Sequence, residues 1–207
     1  MKRRKKMEIN EQIDFTKCTY LSYPIQTGKC LYLEMRQEGK SNITDFCSEN
    51  AEKAKSIRDY NKKKIFNFVQ DCISNFDKII NPGGLIFILK GEWKSDEFLK
   101  TDLHLLDKHA EQIVFFEDWH YSLGCVEEFK LAFDKKIKMY ECFQDHTSLW
   151  RRRIYVELNQ AYIKSCFQKT VEFLKLCGIK KINNESQIHI CEQFQNYISI
   201  YGGGRGE

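Results

Sequence analysis

Between Asp118 and Glu128 the chain reads Asp-Trp-His-Tyr-Ser-Leu-Gly-Cys-Val-Glu-Glu, directly after the apolar run Gln112–Phe116. A buried strand followed by a helix beginning at Ser122 or Gly124 is the expected reading. The free N–H groups of such a helix can hold an anion, and Glu128, about one turn inside, can reach a ligand at that mouth. Two other segments carry chemistry of the same kind. Tyr20-Leu21-Ser22-Tyr23-Pro24 closes a short β-capable run, and Asp102-Leu103 lies on a second amphipathic stretch. In a parallel α/β sheet, ligands bind beyond the carboxyl ends of the strands, so all three segments belong at one end of the molecule.

Strands and helices that would carry these residues alternate along the chain. Lys17–Ser22 is a strand, and Asn50 to about Phe76 lacks glycine and proline. The latter brings Ile65, Phe66, Val69, Cys72, Ile73 and Phe76 onto one helical stripe. Lys78–Asn81 or Leu85–Leu89 supplies the next strand, Ser95–His109 a helix, Gln112–Phe116 a strand, Gly124–Phe133 a helix and Lys136–Tyr140 a strand. Gln26–Glu49 is polar without a clean period and reads as a long loop. The alternation predicts an α/β three-layer sandwich with a mostly parallel central sheet.

Beyond Asp145 the pattern becomes helical. Leu158, Tyr162, Cys166, Val171, Leu174 and Cys177 recur at helical spacing with Gly178 as the cap, and Arg151-Arg152-Arg153, unfavourable for the dipole of a helix start, point to an anionic partner nearby or to a helix that begins later. A second helix is expected from about Glu185 to Ile200. The organisation is therefore a basic flexible arm at 1–13, an α/β domain at 14–145, and a helical extension at 146–207 with a disordered tail from Tyr201.

The 207 residues are 42% hydrophobic and 30% charged, a mixture that excludes disorder throughout and fibrous repeats. The longest apolar run, Leu85–Leu89, is far below the ~20 residues of a bilayer span. No membrane association is expected, and the location is expected to be cytoplasmic or nuclear. Nine cysteines without a C-x-x-C pair read as free thiols, and the five histidines have no metal-ligand spacing. Neither metal nor other cofactor is expected. The net charge of +4 resides in Lys2–Lys6, leaving the rest of the chain near neutral. That arm binds nucleic acid, serves as a nuclear address, or is simply solvated, and the C-terminal helices pack on their own domain or meet a protein partner.

Five features in order resemble the nucleoside 2-deoxyribosyltransferases and their relatives, the deoxynucleoside 5′-monophosphate N-glycosidases. They are Tyr20-Leu21-Ser22-Tyr23-Pro24, Asn81-Pro82, Asp102-Leu103, Ala110-Glu111, and Trp119-x-x-Ser122-x-Gly124-x-x-x-Glu128-x-x-x-Ala132. The resemblance implies a flavodoxin-like topology, a nucleoside or nucleotide ligand, and a homo-oligomer. It implies Glu128 as nucleophile, Asp102 as the carboxylate near the nucleobase, and Tyr20 as the residue positioning the nucleophile. Ser22, Ser122, Gly124 and Trp119 are expected to contact substrate, the hydroxyl of Ser122 favouring a phosphate where an acid would repel it. The reaction so implied cleaves or exchanges an N-glycosidic bond through a covalent glycosyl ester. A non-catalytic nucleotide-binding or interaction module is the alternative on the same fold. The polar segment Gln26–Glu49, the Glu127–Glu128 pair and the helical tail depart from the family pattern.

Overall fold

The structure, a computed structural model, describes residues 17–25, 28–85, 95–144 and 153–179. Strand β1 (Cys18–Ser22) is buried along its whole length. It is followed by helices α1 (Lys29–Gln37), α2 (Ile43–Glu49) and α3 (Ala51–Asn75), then by the two-residue strand β2 (Ile79–Ile80) and the short helix α4 (Pro82–Leu85). Helix α5 (Ser95–His109) runs directly into β3 (Ala110–Phe116). A 3₁₀ turn (Trp119–Tyr121) leads to α6 (Leu123–Asp134), β4 (Lys138–Gln144), β5 (Arg153–Glu157) and α7 (Gln160–Leu176).

The strands form one sheet in the order β2-β1-β3-β4-β5. The first four are mutually parallel, and β5 runs antiparallel along β4. The α/β class and the mostly parallel sheet are as the alternation of elements predicts. Period-two alternation sends the strand residues to two cores. Tyr20, Ile113 and Phe115 pack with α6 and α7 through Val126, Phe129, Phe167 and Leu174. Leu21, Val114, Phe116 and Cys142 pack on the other face against Ile65, Phe68, Val69 and Cys72 of α3.

Several expectations are corrected. The segment read as a loop, Gln26–Glu49, contains two helices. Leu31, Tyr32 and Met35 bury one side of α1, and Gly39, at φ 64°, ends it by letting Lys40 N–H reach the Met35 carbonyl at 2.8 Å. Asn42 caps α2, its side chain accepting from Thr44 N–H at 2.8 Å. On α3 the stripe is rotated from the predicted one: Phe68 is fully buried, whereas Phe66 and Ile73 are exposed. Of the two strand candidates after α3, Ile79–Ile80 enters the sheet, while residues 86–89 lie outside the described portion. The helix begins later than the arginines, as their unfavourable charge suggests: α7 starts at Gln160 with Asn159 as its cap, and Arg153 opens a strand that the helical reading does not foresee. Gly178, at φ 72°, closes α7 as expected, with Ile179 N–H on the Leu174 carbonyl at 3.0 Å. The basic arm, the helix expected near 185–200 and the tail lie outside the described residues.

Candidate functional site

The strand order reverses direction of travel between β1 and β3, and the crevice at such a switch point is where an open α/β sheet receives ligands. Tyr20 and Ser22, two residues apart on β1, project to the same face, toward α6. There the Tyr20 hydroxyl donates to Glu128 Oε1 at 2.6 Å, and the Ser22 hydroxyl donates to Oε2 at 2.5 Å. Each carboxylate oxygen thus has one charge-assisted hydrogen bond from a strand side chain that is itself fully buried.

Glu128 is only 6% exposed. Its carboxyl is raised to about 7, chiefly by burial, with the hydrogen bonds from Ser22 and Tyr20 opposing the rise and the charge of Asp102 adding to it. Asp102, half-buried on α5, is pushed up to about 6 by its own burial. The two acids from separate helices therefore share one electrostatic environment beside the opening strand's tyrosine. Tyr20 is held well above the usual phenol range, chiefly by burial and then by Glu128 and Asp102.

Tyr23, which the sequence reading quotes but gives no role, belongs to the same neighbourhood. Burial raises its hydroxyl strongly, with added contributions from Glu128 and Asp102. It donates to Asn81 Oδ1 and receives the Gly83 backbone N–H. A Cβ on Gly83 would lie 2.2 Å from the Tyr23 oxygen, so the residue must be glycine for the turn after β2 to close on Tyr23.

The remaining expected residues divide. Ser122 is buried and takes the N-cap position of α6 without a side-chain cap bond. At Gly124 a Cβ would meet nothing within 4 Å, so the position opens to free space at the start of α6. Trp119 is not placed to contact a ligand. It is fully buried, its ring centroid 4.4 Å from that of Phe115 and 5.1 Å from that of Phe129, and its Nε1 donates to Glu141 Oε2 at 3.1 Å. Glu141, on β4, is a second buried carboxylate, pushed up to about 7 mainly by burial, while bonds from Trp119 and Tyr162 oppose the rise. His120 is buried on Thr170 and held down to about 3, hence neutral. A separate depression beside Pro24 at the ends of β1 and β3, lined by Lys29, Tyr60, Lys64 and Asp118 among others, does not include Glu128 or Asp102. Among the described residues, no cluster of three or more His, Cys, Asp or Glu is arranged to hold a metal ion, and no helix is long and apolar enough to cross a membrane.

Two site residues escape the sequence reading. Tyr23 was detectable only as a third hydroxyl next to Tyr20 and Ser22. Cys125 had a clearer signal: Ser122, Cys125 and Glu128 are spaced by three, one stripe of a single helix. Comparison with known proteins gives no family model that matches the chain, no matching curated protein and no matching solved structure.

Proposed function

We propose that this protein cleaves or exchanges the N-glycosidic bond of a (deoxy)nucleoside or its 5′-monophosphate, with Glu128 as nucleophile. The observation that carries the reading is the buried Glu128 carboxylate gripped by Tyr20 and Ser22 at the β1/β3 switch point, with Asp102 alongside. A glutamate serving only as a surface charge has no need of two buried hydroxyl donors.

In the proposed reaction a Glu128 oxygen attacks C1′ and the C1′–N bond breaks, its electron pair passing to the nucleobase nitrogen. Protonated Asp102 delivers a proton to that nitrogen as the base leaves. Water then attacks C1′, giving up its proton to Asp102, and Glu128 departs as carboxylate. A second nucleobase attacking C1′ in place of water would make the reaction an exchange. Tyr20 and Ser22 fix the carboxylate's orientation throughout, and Ser122 and Gly124 flank the helix mouth where a 5′-phosphate would be received.

The test is incubation of the protein with a panel of deoxynucleosides, ribonucleosides and their 5′-monophosphates, followed by chromatography for free base. Wild type releases base from at least one, and Glu128→Gln loses the activity by on the order of 10³-fold or more. Binding of a nucleotide without base release by either protein would replace the enzyme with a nucleotide-binding module.

A further inference from the structure

Positive charge is concentrated in two stretches of the chain. One is Lys2–Lys6, outside the described residues, and the other is the first half of α3. Residues 51–64 hold six basic side chains against the acidic Glu52 and Asp59, whereas the chain outside these two stretches is net negative, with 22 basic residues and 27 acidic. Two of the six are matched by acids on other parts of the chain: Lys53 pairs with Glu38, and Lys64 with Glu117 at 2.6 Å. Lys62 stands 3.8 Å from Asp59, a long contact between exposed groups that neutralises little. Lys55 and Lys63 are exposed and make no ion pair among the described residues.

Aromatic rings stand among these lysines. Tyr60, Lys63 and Phe66 follow at intervals of three, and Lys62 precedes Phe66 by four, so each is a surface neighbour of the next. Lys55 lies two turns before Lys62 on the same line of the helix. Tyr60 is 53% exposed and Phe66 64%, while Phe68 turns into the core beneath the sheet. One exposed ring is ordinary on any surface. Two rings interleaved with three lysines over about 16 Å of helix form a face where planar groups can stack and the anions between them are neutralised.

We infer that this face of α3 docks single-stranded nucleic acid, the bases stacking on Tyr60 and Phe66 and the phosphates meeting Lys55, Lys62 and Lys63. A duplex keeps the faces of its bases covered, so rings on the protein gain nothing from it. An anionic membrane calls for a continuous apolar band, which Glu52 and Asp59 interrupt on this helix. The inference stands apart from the glycosidic reading, since Glu128 and Asp102 take no part in it.

The experiment is fluorescence anisotropy of a labelled single-stranded DNA of about 15 nucleotides, titrated with the full chain at several salt concentrations. Wild type binds, with log K falling as log salt rises. Lys55→Gln, Lys62→Gln and Lys63→Gln combined weaken binding about tenfold or more at low salt and make the slope shallower by about 2. Tyr60→Ala combined with Phe66→Ala weakens binding about tenfold or more and leaves the slope as it was. In a third variant all five basic residues of the arm, Lys2 to Lys6, become glutamine. Binding that this arm variant abolishes and both helix variants leave unchanged overturns the inference, as does failure of wild type to bind. A loss confined to the lysine variant overturns it too, since the face would then hold any polyanion without stacking. Tighter binding of wild type to phosphatidylserine vesicles than to the oligonucleotide replaces nucleic acid with a membrane surface. Thermal melting followed by circular dichroism checks the fold of each variant. Should a combined variant fail to fold, Lys63→Glu and Phe66→Ala, each alone, decide by the same readout, and unchanged affinity in both overturns the inference.

Discussion

A carboxylate that must attack C1′ has to be ionised, and one that must protonate a leaving base has to hold its proton. Burial works against the first requirement at Glu128 and in favour of the second at Asp102, which is pushed up to about 6 while Glu128 stands at about 7. The productive state of the proposed reaction, Glu128 ionised with Asp102 protonated, would be depleted at low pH by protonation of Glu128 and at high pH by ionisation of Asp102. The rate of base release should therefore peak between about pH 6 and 7 and fall on both sides, as measured across a buffer series. The same burial has a thermodynamic cost. Because the folded-state pKa of Glu128 is raised above the ordinary 4.5, the folded protein binds more protons than the unfolded chain between about 4.5 and 7, and stability falls as pH rises through that window. Glu128→Gln should be more stable than wild type by roughly 1–3 kcal/mol at pH 8, the gain shrinking toward zero below pH 4.5, in urea titrations at the two pH values. At this scale the sequence was informative where residue type and spacing coincide. Tyr20, Ser22, Asp102 and Glu128 were all singled out, and all gather in one neighbourhood. Trp119 was misassigned because adjacency to Ser122 in sequence says nothing about which way an indole turns, and Phe115, Phe129 and Phe167 claim its ring for the core.

Helix ends explain most of what was and was not legible among the elements. Ser95–His109 is legible with its true bounds from Asp96 and Glu97 at its start and the spacing of Phe98, Leu99, Leu103, Leu105 and Leu106. The α1–α2 segment was missed although its punctuation was present: Gly39 is a left-handed stop and Asn42 a start. Both helices are too short for a period to stand out over the polar background. Strand β5 escapes a reading that takes the chain after Asp145 as helical, although Ile154-Tyr155-Val156 is a β-branched and aromatic run. Exposure of Ile154 and Val156 on one side, with Arg153 and Tyr155 partly buried on the other, is the alternation of an edge strand. Helix α6 ends less comfortably than α1 or α7. Its left-handed position is occupied by Lys136, at φ 59°, whose N–H bonds to the Phe133 carbonyl at 3.2 Å while Ile137 N–H reaches Ala132 at 2.9 Å. Replacing that exposed lysine by glycine removes the Cβ penalty and keeps both bonds. Lys136→Gly should raise stability by about 0.5–1 kcal/mol, read as a higher melting temperature, with base release unaffected.

For the molecule as a whole, the chain after Asp145 matters more than a helical appendage would. Strand β5 extends the sheet along β4, and Ile163, Phe167, Val171 and Leu174 of α7 are buried in the same core as Phe115 and Phe129. Each such side chain contributes about 1.5–3 kcal/mol when removed from water, and four together rival the whole net stability of an ordinary domain, roughly 5–15 kcal/mol. Deleting 146–207 should consequently abolish cooperative unfolding, leaving a protease-sensitive chain without a sharp thermal transition in circular dichroism. A truncated domain that melts sharply would show that α7 merely decorates the fold. Periodicity disclosed the layers and the parallel strands, but the joining of a distant strand to the far edge of a sheet depends on pairings no local pattern encodes. The indole of Trp119 gives this architecture an internal lamp. Its N–H rests on Glu141, whose carboxyl changes charge near pH 7, so in a chain with Trp93→Phe and Trp150→Phe the remaining emission should change colour or brightness with a midpoint near neutrality. Glu141→Gln should flatten that response, and the unsubstituted form would then report optically on the packing behind the β3–α6 turn as substrates are added.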